Sequence, residues 1–463
     1  MSQLIEELKA IVGPKGYREG DDIDDKNYRD IKGARKIRPE LYLRPESTQE
    51  VSKILALCNA HNQPIAPQGG MTGLVSAAAP MGGEIALGFE RMNKIIEIDP
   101  YTSTITVEAG VPLQIVQEKA NSAGFLFPLD LGARGSCTIG GNLSTNAGGN
   151  RVIRYGMMRD LVLGVEAVLA DGTVINGLHK LRKNNSGYDL KQLFIGSEGT
   201  LGLITKAVLK LSPKPTSQIV AFCGAQTFEQ VATLLNHMQT ALGSNLTAFE
   251  VLWKNVYSTI EEKMPDLQLP LPNQYNFYCL VECMGTSAEA DKEMFENALA
   301  DALESQTIED AVISHSDKDV ENIWRIRDAT AEVVTKVGYM HSYDVGINVG
   351  DMGYFGEEVV KRLREKWPES IISLFGHIGD GNLHVNFYAG PETKADLKDV
   401  DEVIYSIVKE LNGTISAEHG IGLLKRSFLS YCKSEPEIEL MRTLKKSLDP
   451  NSILSPGRII EIV

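Results

Sequence analysis

The sequence contains neither a GxGxxG motif nor a GxxxxGK motif followed by Ser or Thr. The first absence excludes the Rossmann fingerprint, in which glycines let a helix N-terminus approach a pyrophosphate. The second absence removes support for phosphoryl transfer at a P-loop. A nucleotide cofactor, if this chain binds one, must therefore be held by a different glycine-rich backbone.

Cysteine is also sparse, with 6 residues among 463. Only Cys279 and Cys283 are close in sequence, and both fall in the apolar, strand-like run 277–284. That setting indicates buried apolar side chains rather than ligands. The chain therefore has neither a disulfide framework nor a zinc-ribbon spacing.

Positive charge is in deficit, since 46 Lys and Arg residues stand against 61 Asp and Glu residues, for a net charge of -15. This balance argues against nucleic acid and anionic membranes as partners. It places no restriction on a small anionic substrate, which needs only a local cationic pocket.

Segments typical of export or membrane insertion are not visible in the sequence. Residues 1–7 lack the basic and apolar stretches of a signal peptide. The longest apolar run, 161–170, is interrupted by Glu166 and is too short to span a bilayer. We therefore expect no transmembrane segment and a reducing, cytoplasmic setting.

The length of the chain exceeds one ordinary hydrophobic core, which predicts two or more domains. Short helices and strands alternate over residues 1–215, and Ser-Pro-Lys-Pro at 212–215 marks a boundary. The longer strands and helices of residues 216–435 predict an α+β domain with an antiparallel sheet. Residues 436–463 are expected to form a helical segment that packs back on the first domain.

Local signals place several elements. Ser-Thr-Gln-Glu at 47–50 is a capping-box pattern and predicts a helix that ends near His61. Hairpins are predicted over 94–107, turning at Asp-Pro, and over 161–175, turning at Asp-Gly. In the second half, the candidate strands are 218–224, 246–252, 276–284 and 312–315, and the candidate helices are 227–242, 287–303 and 317–337.

Three glycine-rich segments lie in the first half, at 69–73, 135–149 and 196–202. Glycine lets a backbone approach a ligand closely, and successive N–H groups form an anion-binding concavity. One such segment is usually only a loop. Three in one domain favour a large, flat cofactor with phosphates, held mostly by backbone.

Two of the eight histidines, His377 and His384, flank a turn-forming tetrapeptide at 379–382. If this turn closes a four-residue hairpin loop, His377 faces His384 with the two Cβ atoms about 5 Å apart. Asn386 then shares their face, because side chains alternate along a strand. Such a pair can hold a divalent metal, although two histidines in a hairpin can also bind only backbone and solvent.

The dipeptide Glu418-His419 favours the metal, because it supplies a third ligand and a candidate base within the Gly-bounded segment 416–422. Three protein ligands leave a coordination position open, as catalytic metal sites require.

A cationic anchor is predicted in the helix over 317–337. Arg327 lies on its apolar stripe, whereas Arg325 points elsewhere. An inward arginine needs an anion, and a carboxylate fits its bidentate geometry. The alternative partner is an internal Asp or Glu. The stripe is predicted to consist of Val320, Ile323, Trp324, Ala331 and Val334.

Several motifs together resemble known flavoenzymes. In the first half they are PQGGMTGL at 67–74, FPLDLG at 127–132, GGN at 140–142, TNAGG at 145–149, RYG at 154–156 and FIGSEGTLG at 194–202. This part resembles the vanillyl-alcohol-oxidase (PCMH)-type FAD-binding domain. With GHIGDGNLH at 376–384 and AEHG at 417–420, the chain resembles FAD- and metal-dependent D-2-hydroxyacid dehydrogenases. That family includes D-2-hydroxyglutarate dehydrogenase, D-lactate dehydrogenase and the glycolate oxidase D subunit.

The resemblance implies an α+β fold with an FAD-binding domain of two α+β subdomains over 1–215. It also implies a substrate- and metal-binding α+β domain over 216–435. We expect non-covalent FAD, because the loop 67–74 contains no His or Cys. The implied cofactor-binding residues are Pro67, Gln68, Gly69, Gly70, Met71, Thr72, Gly73, Leu74, Pro128, Leu129, Asp130, Gly135, Ser136, Thr138, Gly140, Gly141, Asn142, Thr145, Asn146, Gly148, Gly149, Tyr155, Gly156, Glu198, Gly199, Gly202 and Ile204.

The implied reaction is oxidation of a D-2-hydroxyacid to the 2-oxoacid, with hydride delivered to flavin N5. His377, His384 and Glu418 are expected to hold Zn²⁺ or Mn²⁺, which polarises the substrate hydroxyl. His419 is the expected base. Arg327 is expected to bind the substrate carboxylate, and Asn386 to hydrogen-bond the substrate.

The substrate is left open by two departures from the family pattern. D-2-hydroxyglutarate dehydrogenases carry a threonine and a lysine where this chain has Ala331 and Ser342. The groups implied for a distal carboxylate are therefore missing, unless His341, Lys336 or Thr330 replaces them. D-2-hydroxyglutarate, D-lactate and D-malate all remain candidate substrates.

Other readings remain at this point. The chain is alternatively a flavin oxidase, a non-catalytic flavin subunit that relays electrons, or a metallohydrolase without flavin. The expected electron acceptor is an electron-transfer flavoprotein or a quinone, and the resemblance suggests a homodimer.

Overall fold

The structure is a computed structural model that describes residues 2–30, 35–338, 341–390 and 395–461. The chain divides into two compact units. Unit 1 contains the residues up to Gly148, Met157–Lys214 and the residues from Glu418 onward. Unit 2 contains Gly149–Gly156 and Pro215–Ala417. The second unit therefore ends before residue 435, and it takes an eight-residue segment that the sequence analysis assigned to the first domain.

The helices are given first, in chain order. They are α1 (Ser2–Val12), α2 (Thr48–Ala60), α3 (Leu113–Ser122), α4 (Ile139–Ser144), α5 (Val152–Tyr155), α6 (Lys191–Phe194), α7 (Phe228–Leu242), α8 (Lys254–Lys263), α9 (Ala288–Glu304), α10 (Asp317–Val337), α11 (Met352–Lys366), α12 (Leu397–Glu410) and α13 (Glu435–Leu448).

The strands follow in the same order. They are β1 (Tyr17–Glu19), β2 (Leu41–Leu43), β3 (Ile65–Gln68), β4 (Ile85–Gly88), β5 (Ile95–Asp99), β6 (Thr104–Glu108), β7 (Phe125–Leu126), β8 (Val162–Val168), β9 (Val174–Asn176), β10 (Leu203–Lys210), β11 (Ser212–Pro213), β12 (Ser217–Ala225), β13 (Leu246–Trp253), β14 (Phe277–Gly285), β15 (Asp310–Ile313), β16 (His341–Gly346), β17 (Ile371–His377) and β18 (Asn382–Tyr388).

Unit 1 is built on two main sheets. One has the strand order β1-β2-β4-β3 and the other β5-β6-β10-β8-β9. Both predicted hairpins are confirmed, because β5 pairs with β6 and β8 with β9 in antiparallel fashion. The predicted helix after the capping box is also confirmed as α2, where the Ser47 hydroxyl accepts a hydrogen bond from the Glu50 N–H.

The C-terminal segment belongs to unit 1 and pairs with β3. Ile65 N–H donates to the Ile453 carbonyl at 2.7 Å. Arg458 is completely buried, and its Nη2 donates to Glu84 at 2.8 Å and to the Ala79 carbonyl at 2.7 Å. The tail is therefore fixed by a buried ion pair as well as by apolar burial.

Unit 2 is built on one antiparallel sheet with the strand order β15-β12-β14-β13-β17-β18-β16. Helices α8 and α10 pack on one face, where Leu252 and Phe375 lie in the same hydrophobic cluster as Ile260 and Ile326. This packing determines which face of α10 meets the sheet. It also leaves the ends of β17 and β18 on that face for polar side chains.

The predicted stripe of α10 is partly wrong. Ala331 is exposed and Val334 is only half-buried. The buried stripe follows the 3.6-residue period through Ile326, Ala329 and Val333 instead. The strand predicted at 312–315 also begins and ends earlier, as β15, where Asp310–Ile313 pair with β12.

The segment Gly149–Gly156 is attached to unit 2 by a buried carboxylate. Both oxygens of Glu282 accept hydrogen bonds. Burial opposes ionisation of this carboxyl, but the nearby charge of Arg151 outweighs that effect and lowers the pKa of Glu282. Ile153 of this segment packs against Gly379, where a Cβ would lie 2.5 Å from the Ile153 Cδ1. The donors to Glu282 are Arg151, Gln218, Thr247 and Trp324.

Replacement of Arg458 by Met should lower the free energy of unfolding by about 3–5 kcal/mol, because Glu84 then stays buried without its cation. The control is Arg442→Met, which removes an exposed pair with Glu439 and should cost less than about 1 kcal/mol. Urea titrations of both variants provide the measurement. Equal effects of the two substitutions would contradict the role given to the buried pair.

Candidate active site

Unit 1 contains a cavity of about 350 Å³, and the glycine loop after β3 forms part of its wall. The glycines are required by close packing of backbone on backbone. A Cβ on Gly70 would lie 1.9 Å from the Ser136 carbonyl oxygen, and one on Gly140 would lie 2.8 Å from the Ala109 Cβ. The backbone can therefore keep this packing only if positions 70 and 140 are glycine.

Many of the predicted cofactor residues line this cavity. They are Pro67, Gln68, Gly69, Gly70, Met71, Thr72, Gly73, Leu74, Thr138, Gly140, Gly141, Asn142, Thr145, Gly148, Glu198, Gly199 and Ile204. The predicted base His419 and the predicted metal ligand Glu418 also line it. The three glycine-rich segments thus converge on one space.

Other predicted cofactor residues lie outside the lining. Gly149, Tyr155 and Gly156 belong to unit 2. Gly202 packs on the Phe194 ring, and Asn146 binds the Arg159 N–H through its Oδ1. The remaining five are Pro128, Leu129, Asp130, Gly135 and Ser136.

Sequence reasoning missed an apolar part of the lining. It is formed by Ala77, Ala78, Phe89, Ala109, Ala133 and Leu203, whereas Leu131, Gly132, Cys137, Ser144 and Ala147 also line the cavity but lie within motifs that the sequence had already indicated. Small residues dominate this set, and a run of alanines gives no local signal that separates a cavity wall from a packed core.

The loop that carries Glu418 and His419 is held by Glu198. The Glu198 carboxylate accepts hydrogen bonds from the N–H groups of Ile421 at 2.7 Å and Gly422 at 2.9 Å. Burial raises the pKa of Glu198 to about 7, against the opposing effect of these two donors. A buried carboxyl of unit 1 therefore fixes the backbone that follows His419.

In unit 2, the hairpin register differs from the predicted one. His377 pairs with Asn382, and Phe375 pairs with His384. The loop closes earlier because residues 378–380 form a 3-10 turn and Gly381 takes the left-handed conformation, with φ of 86°. His377 and His384 are therefore diagonal neighbours on one face, with ring centroids 5.4 Å apart and planes at 80°.

A buried carboxylate orients His377. The His377 Nδ1 lies 2.5 Å from Glu250 Oε1, and the Arg327 Nε donates to Glu250 Oε2 at 2.9 Å. Arg327 Nη2 lies 3.2 Å from His377 Nε2. Burial opposes ionisation of Glu250, but the electrostatic effects and hydrogen bonds of His377 and Arg327 outweigh it and lower the pKa of Glu250. The internal acidic partner that the sequence left open for Arg327 is thus Glu250.

Glu250 was not identified from sequence, although a signal was present. It is the single acidic residue in the otherwise apolar run LTAFEVLW of β13. A carboxylate that is buried within a sheet, away from water, needs a cation or a hydrogen-bond donor held beside it.

Asn382 is a second residue that sequence reasoning passed over. Its side chain is buried, and neither its Oδ1 nor its Nδ2 has a hydrogen-bond partner among the described residues. It lies opposite His377 and on the same face as His384, because residues two apart in a strand share a face.

Neutral polar residues continue this face. Asn386 is buried and lies between Ser342 of β16 and Ser373 of β17.

His341 is on the opposite face, where its ring lies 6.2 Å from that of Phe387. Lys336 donates to the Lys263 carbonyl at 2.9 Å.

The segment before Glu418 is paired with β16. Gly346 and Thr414 form a bridge, and the Ser416 hydroxyl donates to Asp344 at 3.1 Å. Asp344 lies directly opposite His384. The last segment of unit 2, which ends at Ala417, is therefore held against β16, the strand beside the histidine hairpin.

As the pH rises from 5 to 8, the Glu198→Gln variant should become more stable against unfolding relative to the wild type. In this window the folded wild type retains a proton that the unfolded chain has lost, so the wild type loses stability as pH rises. A pKa raised from 4.5 to about 7 corresponds to at most roughly 3 kcal/mol. Urea titrations at both pH values measure it, and a difference independent of pH would contradict the buried titration.

Comparison with family models gives two matches. Residues 39–177 match the FAD binding domain, and residues 214–459 match the C-terminal domain of FAD linked oxidases. Together they include residues of both units.

Curated relatives are similar over nearly the whole chain. A probable D-2-hydroxyglutarate dehydrogenase of Oryza sativa subsp. indica is 40% identical, covering 98% of this chain and 81% of the relative. The D-2-hydroxyglutarate dehydrogenase of Arabidopsis thaliana is 37% identical, with 99% and 82% covered. A putative D-lactate dehydrogenase of Schizosaccharomyces pombe is 38% identical, with 99% and 90% covered.

Solved structures show the same fold at low identity. The 4-ethylphenol oxidase from Gulosibacter chungangensis aligns with a TM-score of 0.74 and 18% identity, covering 99% of this chain and 96% of its own. p-Cresol methylhydroxylase aligns with a TM-score of 0.74 and 15% identity, with 100% and 97% covered. The predicted vanillyl-alcohol-oxidase-type fold is confirmed.

The expected cytoplasmic setting is wrong, because the relatives from rice, Arabidopsis and fission yeast are all named mitochondrial. That expectation rested on the character of residues 1–7 and on the shortness of the longest apolar run, and neither feature identifies a compartment. Among the described residues, no helix has both the length and the apolar character needed to cross a bilayer.

The matches to both domains and the identity along nearly the whole chain agree with the flavin-type fold and with the convergence of the glycine segments on one cavity. The chain therefore belongs to the D-2-hydroxyglutarate dehydrogenase family of FAD-dependent oxidoreductases, which act on CH–OH donors.

Proposed function

We propose that the protein oxidises a D-2-hydroxyacid to the 2-oxoacid, using non-covalent FAD and a divalent metal ion. The observation that carries this proposal is the cluster on the sheet of unit 2. There Glu250 orients His377 beside His384 and binds the arginine expected to anchor the substrate. An arginine and two imidazoles on one face fit an anionic substrate and a cation together.

The cavity of unit 1 fits FAD in its chemistry. Its wall offers glycine backbone, hydroxyl groups and apolar surface, which suit phosphates and a flat ring system. The buried Asn142 Nδ2 has no hydrogen-bond partner among the described residues, so this donor is available to a cofactor. The loop 67–74 contains no His or Cys for covalent attachment. FAD held here would accept a hydride, which carries both electrons of the substrate C–H bond.

The histidine hairpin fits a divalent metal. The Glu250 contact takes His377 Nδ1 and directs Nε2 to the face that His384 shares. The unsatisfied amide of Asn382 on this face is a further reason to expect a ligand there. We infer that Glu418 is the third ligand, because the chain reaches it two residues after Ser416 binds Asp344. When bound, Zn²⁺ or Mn²⁺ lowers the pKa of a coordinated hydroxyl.

The protein side chains would divide the remaining tasks. Arg327 would bind the substrate carboxylate through its terminal nitrogens, and the buried Asn386 would hydrogen-bond the same molecule. The unprotonated ring nitrogen of His419 would take the hydroxyl proton. Glu198 would keep His419 in place through the backbone of the next residues.

The substrate side chain is proposed to be small or neutral. Ser342 lies opposite Asn386, while Ala331 is exposed on α10, so neither position supplies a cation. His341 faces the other side of the sheet and Lys336 is bound to α8, so both are poor substitutes for a missing lysine. This favours D-lactate over D-malate and D-2-hydroxyglutarate.

Electrons would leave to an electron-transfer flavoprotein or a quinone, and a homodimer remains the proposed assembly. The rival readings differ in measurable products. A flavin oxidase would release hydrogen peroxide at each turnover, an electron-relay subunit would not react with any hydroxyacid, and a metallohydrolase would be colourless.

Replacement of Asn142 by Leu should lower FAD affinity about tenfold, because it removes a buried donor that is worth about 1–2 kcal/mol to a ligand. The stability of the FAD-free variant should be unchanged or higher, since Nδ2 has no hydrogen-bond partner in the described part of the chain. Fluorescence titration of flavin and thermal melts measure the two effects. Exposed Asn121→Ala is the control, and unchanged FAD affinity in the Leu variant would contradict the placement.

Anaerobic addition of a D-2-hydroxyacid should bleach the visible absorption of the purified yellow protein. The corresponding L-acids should not bleach it, and EDTA should slow bleaching by at least about 100-fold, because the hydroxyl then keeps its ordinary pKa. The panel consists of lactate, malate and 2-hydroxyglutarate in both enantiomers, and wild type with Zn²⁺ restored is the control. A preference for L-acids, or bleaching that ignores EDTA, would overturn the proposal.

A further inference from the structure

We propose that Glu250 is a positioning residue that serves two sites at once, the metal through His377 and the substrate carboxylate through Arg327. This inference rests on the proposed function, since it names a determinant of the same site. Its unusual feature is the sharing, because each oxygen of one carboxylate is committed to a different functional side chain.

The placement of Glu250 follows from the sheet. Residue 250 of β13 lies directly opposite His377 of β17, so their side chains share one face. The carboxylate is 1% exposed, which removes water as an alternative partner. Helix α10 packs on the same face and brings Arg327 to the second oxygen.

The first consequence concerns the tautomer of His377. A carboxylate at Nδ1 retains the proton there and leaves the lone pair on Nε2, the nitrogen that can bind a metal ion. The same hydrogen bond fixes the rotation of the ring. Glu250 therefore determines both which nitrogen of His377 is available and where it points.

The second consequence concerns Arg327. Its Nε is bound to Glu250, and its Nη2 lies 3.2 Å from His377 Nε2. A metal ion bound to His377 Nε2 would use the lone pair that Arg327 Nη2 now approaches. Arg327 Nη2 would therefore turn to another acceptor. The carboxylate of a hydroxyacid held beside the cation is such an acceptor.

A glutamine at position 250 cannot replace this carboxylate. Glutamine offers one acceptor and one donor group, whereas His377 Nδ1–H and Arg327 Nε–H both require an acceptor. Glu250→Gln can therefore accept from at most one of the two partners, and its neutral oxygen holds even that partner more weakly than a carboxylate does. Glu250→Asp keeps the charge but shortens the side chain by one methylene, which withdraws the carboxylate from both partners.

The matched control is Glu282→Gln. Glu282 is also fully buried in this sheet, on the neighbouring strand β14, and it also binds an arginine, Arg151. Its side-chain partners do not include His377 or Arg327. It therefore reproduces the general cost of losing a buried carboxylate without a direct contact to His377 or Arg327.

Zinc affinity is measured on the FAD-loaded, metal-stripped protein by competition with a chromogenic chelator. Glu250→Gln should weaken Zn²⁺ binding about 10- to 100-fold, and Glu282→Gln by less than about threefold. This readout does not depend on turnover. If Glu250→Gln proves poorly folded in thermal melts, Glu250→Asp takes its place with the same expected loss.

The second site is measured at saturating Zn²⁺, by perturbation of the flavin absorption with pyruvate. Glu250→Gln should still bind this 2-oxoacid at least about tenfold more weakly than wild type, because Arg327 has lost its partner. Recovery of wild-type affinity once zinc saturates would reduce Glu250 to a metal-positioning role and overturn the sharing.

Unchanged zinc affinity in a folded Glu250 variant would overturn the inference itself. A wild type that binds no Zn²⁺ and is insensitive to EDTA would instead overturn the proposed function, so the two failures are distinguishable.

Discussion

The arrangement of unit 2 depends on one ionised carboxylate buried in the middle of a sheet. Glu250 cannot stay charged there without compensation, and the compensation is supplied by His377 and Arg327. Because the buried carboxylate needs these two partners, an imidazole from a hairpin and a guanidinium from a helix meet at one point on the sheet. The residues proposed to bind metal and substrate are thus placed by an internal electrostatic requirement before either ligand arrives.

Unit 1 solves a different problem with mostly uncharged groups. The cavity wall is made by glycine segments packed so closely that several side chains are excluded, which exposes backbone N–H groups. One of its buried acids, Glu198, holds the loop after His419 through two N–H donors. Rigid support of this loop would suit the proton acceptor proposed at His419, since small displacements cost rate steeply.

Much of this was predictable because the signals are local. The capping box at 47–50 gives α2, the Asp-Gly and Asp-Pro turns give two hairpins, and the glycine segments indicate a backbone-lined cavity. The pairing of His377 opposite His384 was wrong, because a 3-10 turn and a left-handed Gly381 shift the loop. The inward position of Arg327 was predicted through a stripe that is itself partly wrong. The true stripe is set by packing on β13 and β17, which the helix sequence does not contain.

By itself, the sequence determined the class of fold, the flavin-type cavity and the set of polar residues from which a site is built. These follow from hydrophobic period, glycine spacing and turn chemistry, all of which act over a few residues. Only the tertiary structure decided that Glu250 is the partner of Arg327, that Asn382 is buried without a partner among the described residues, and that His341 faces away from His384. Each depends on strand register and on helix packing between residues far apart in the chain, because partners are chosen by proximity and not by sequence neighbourhood.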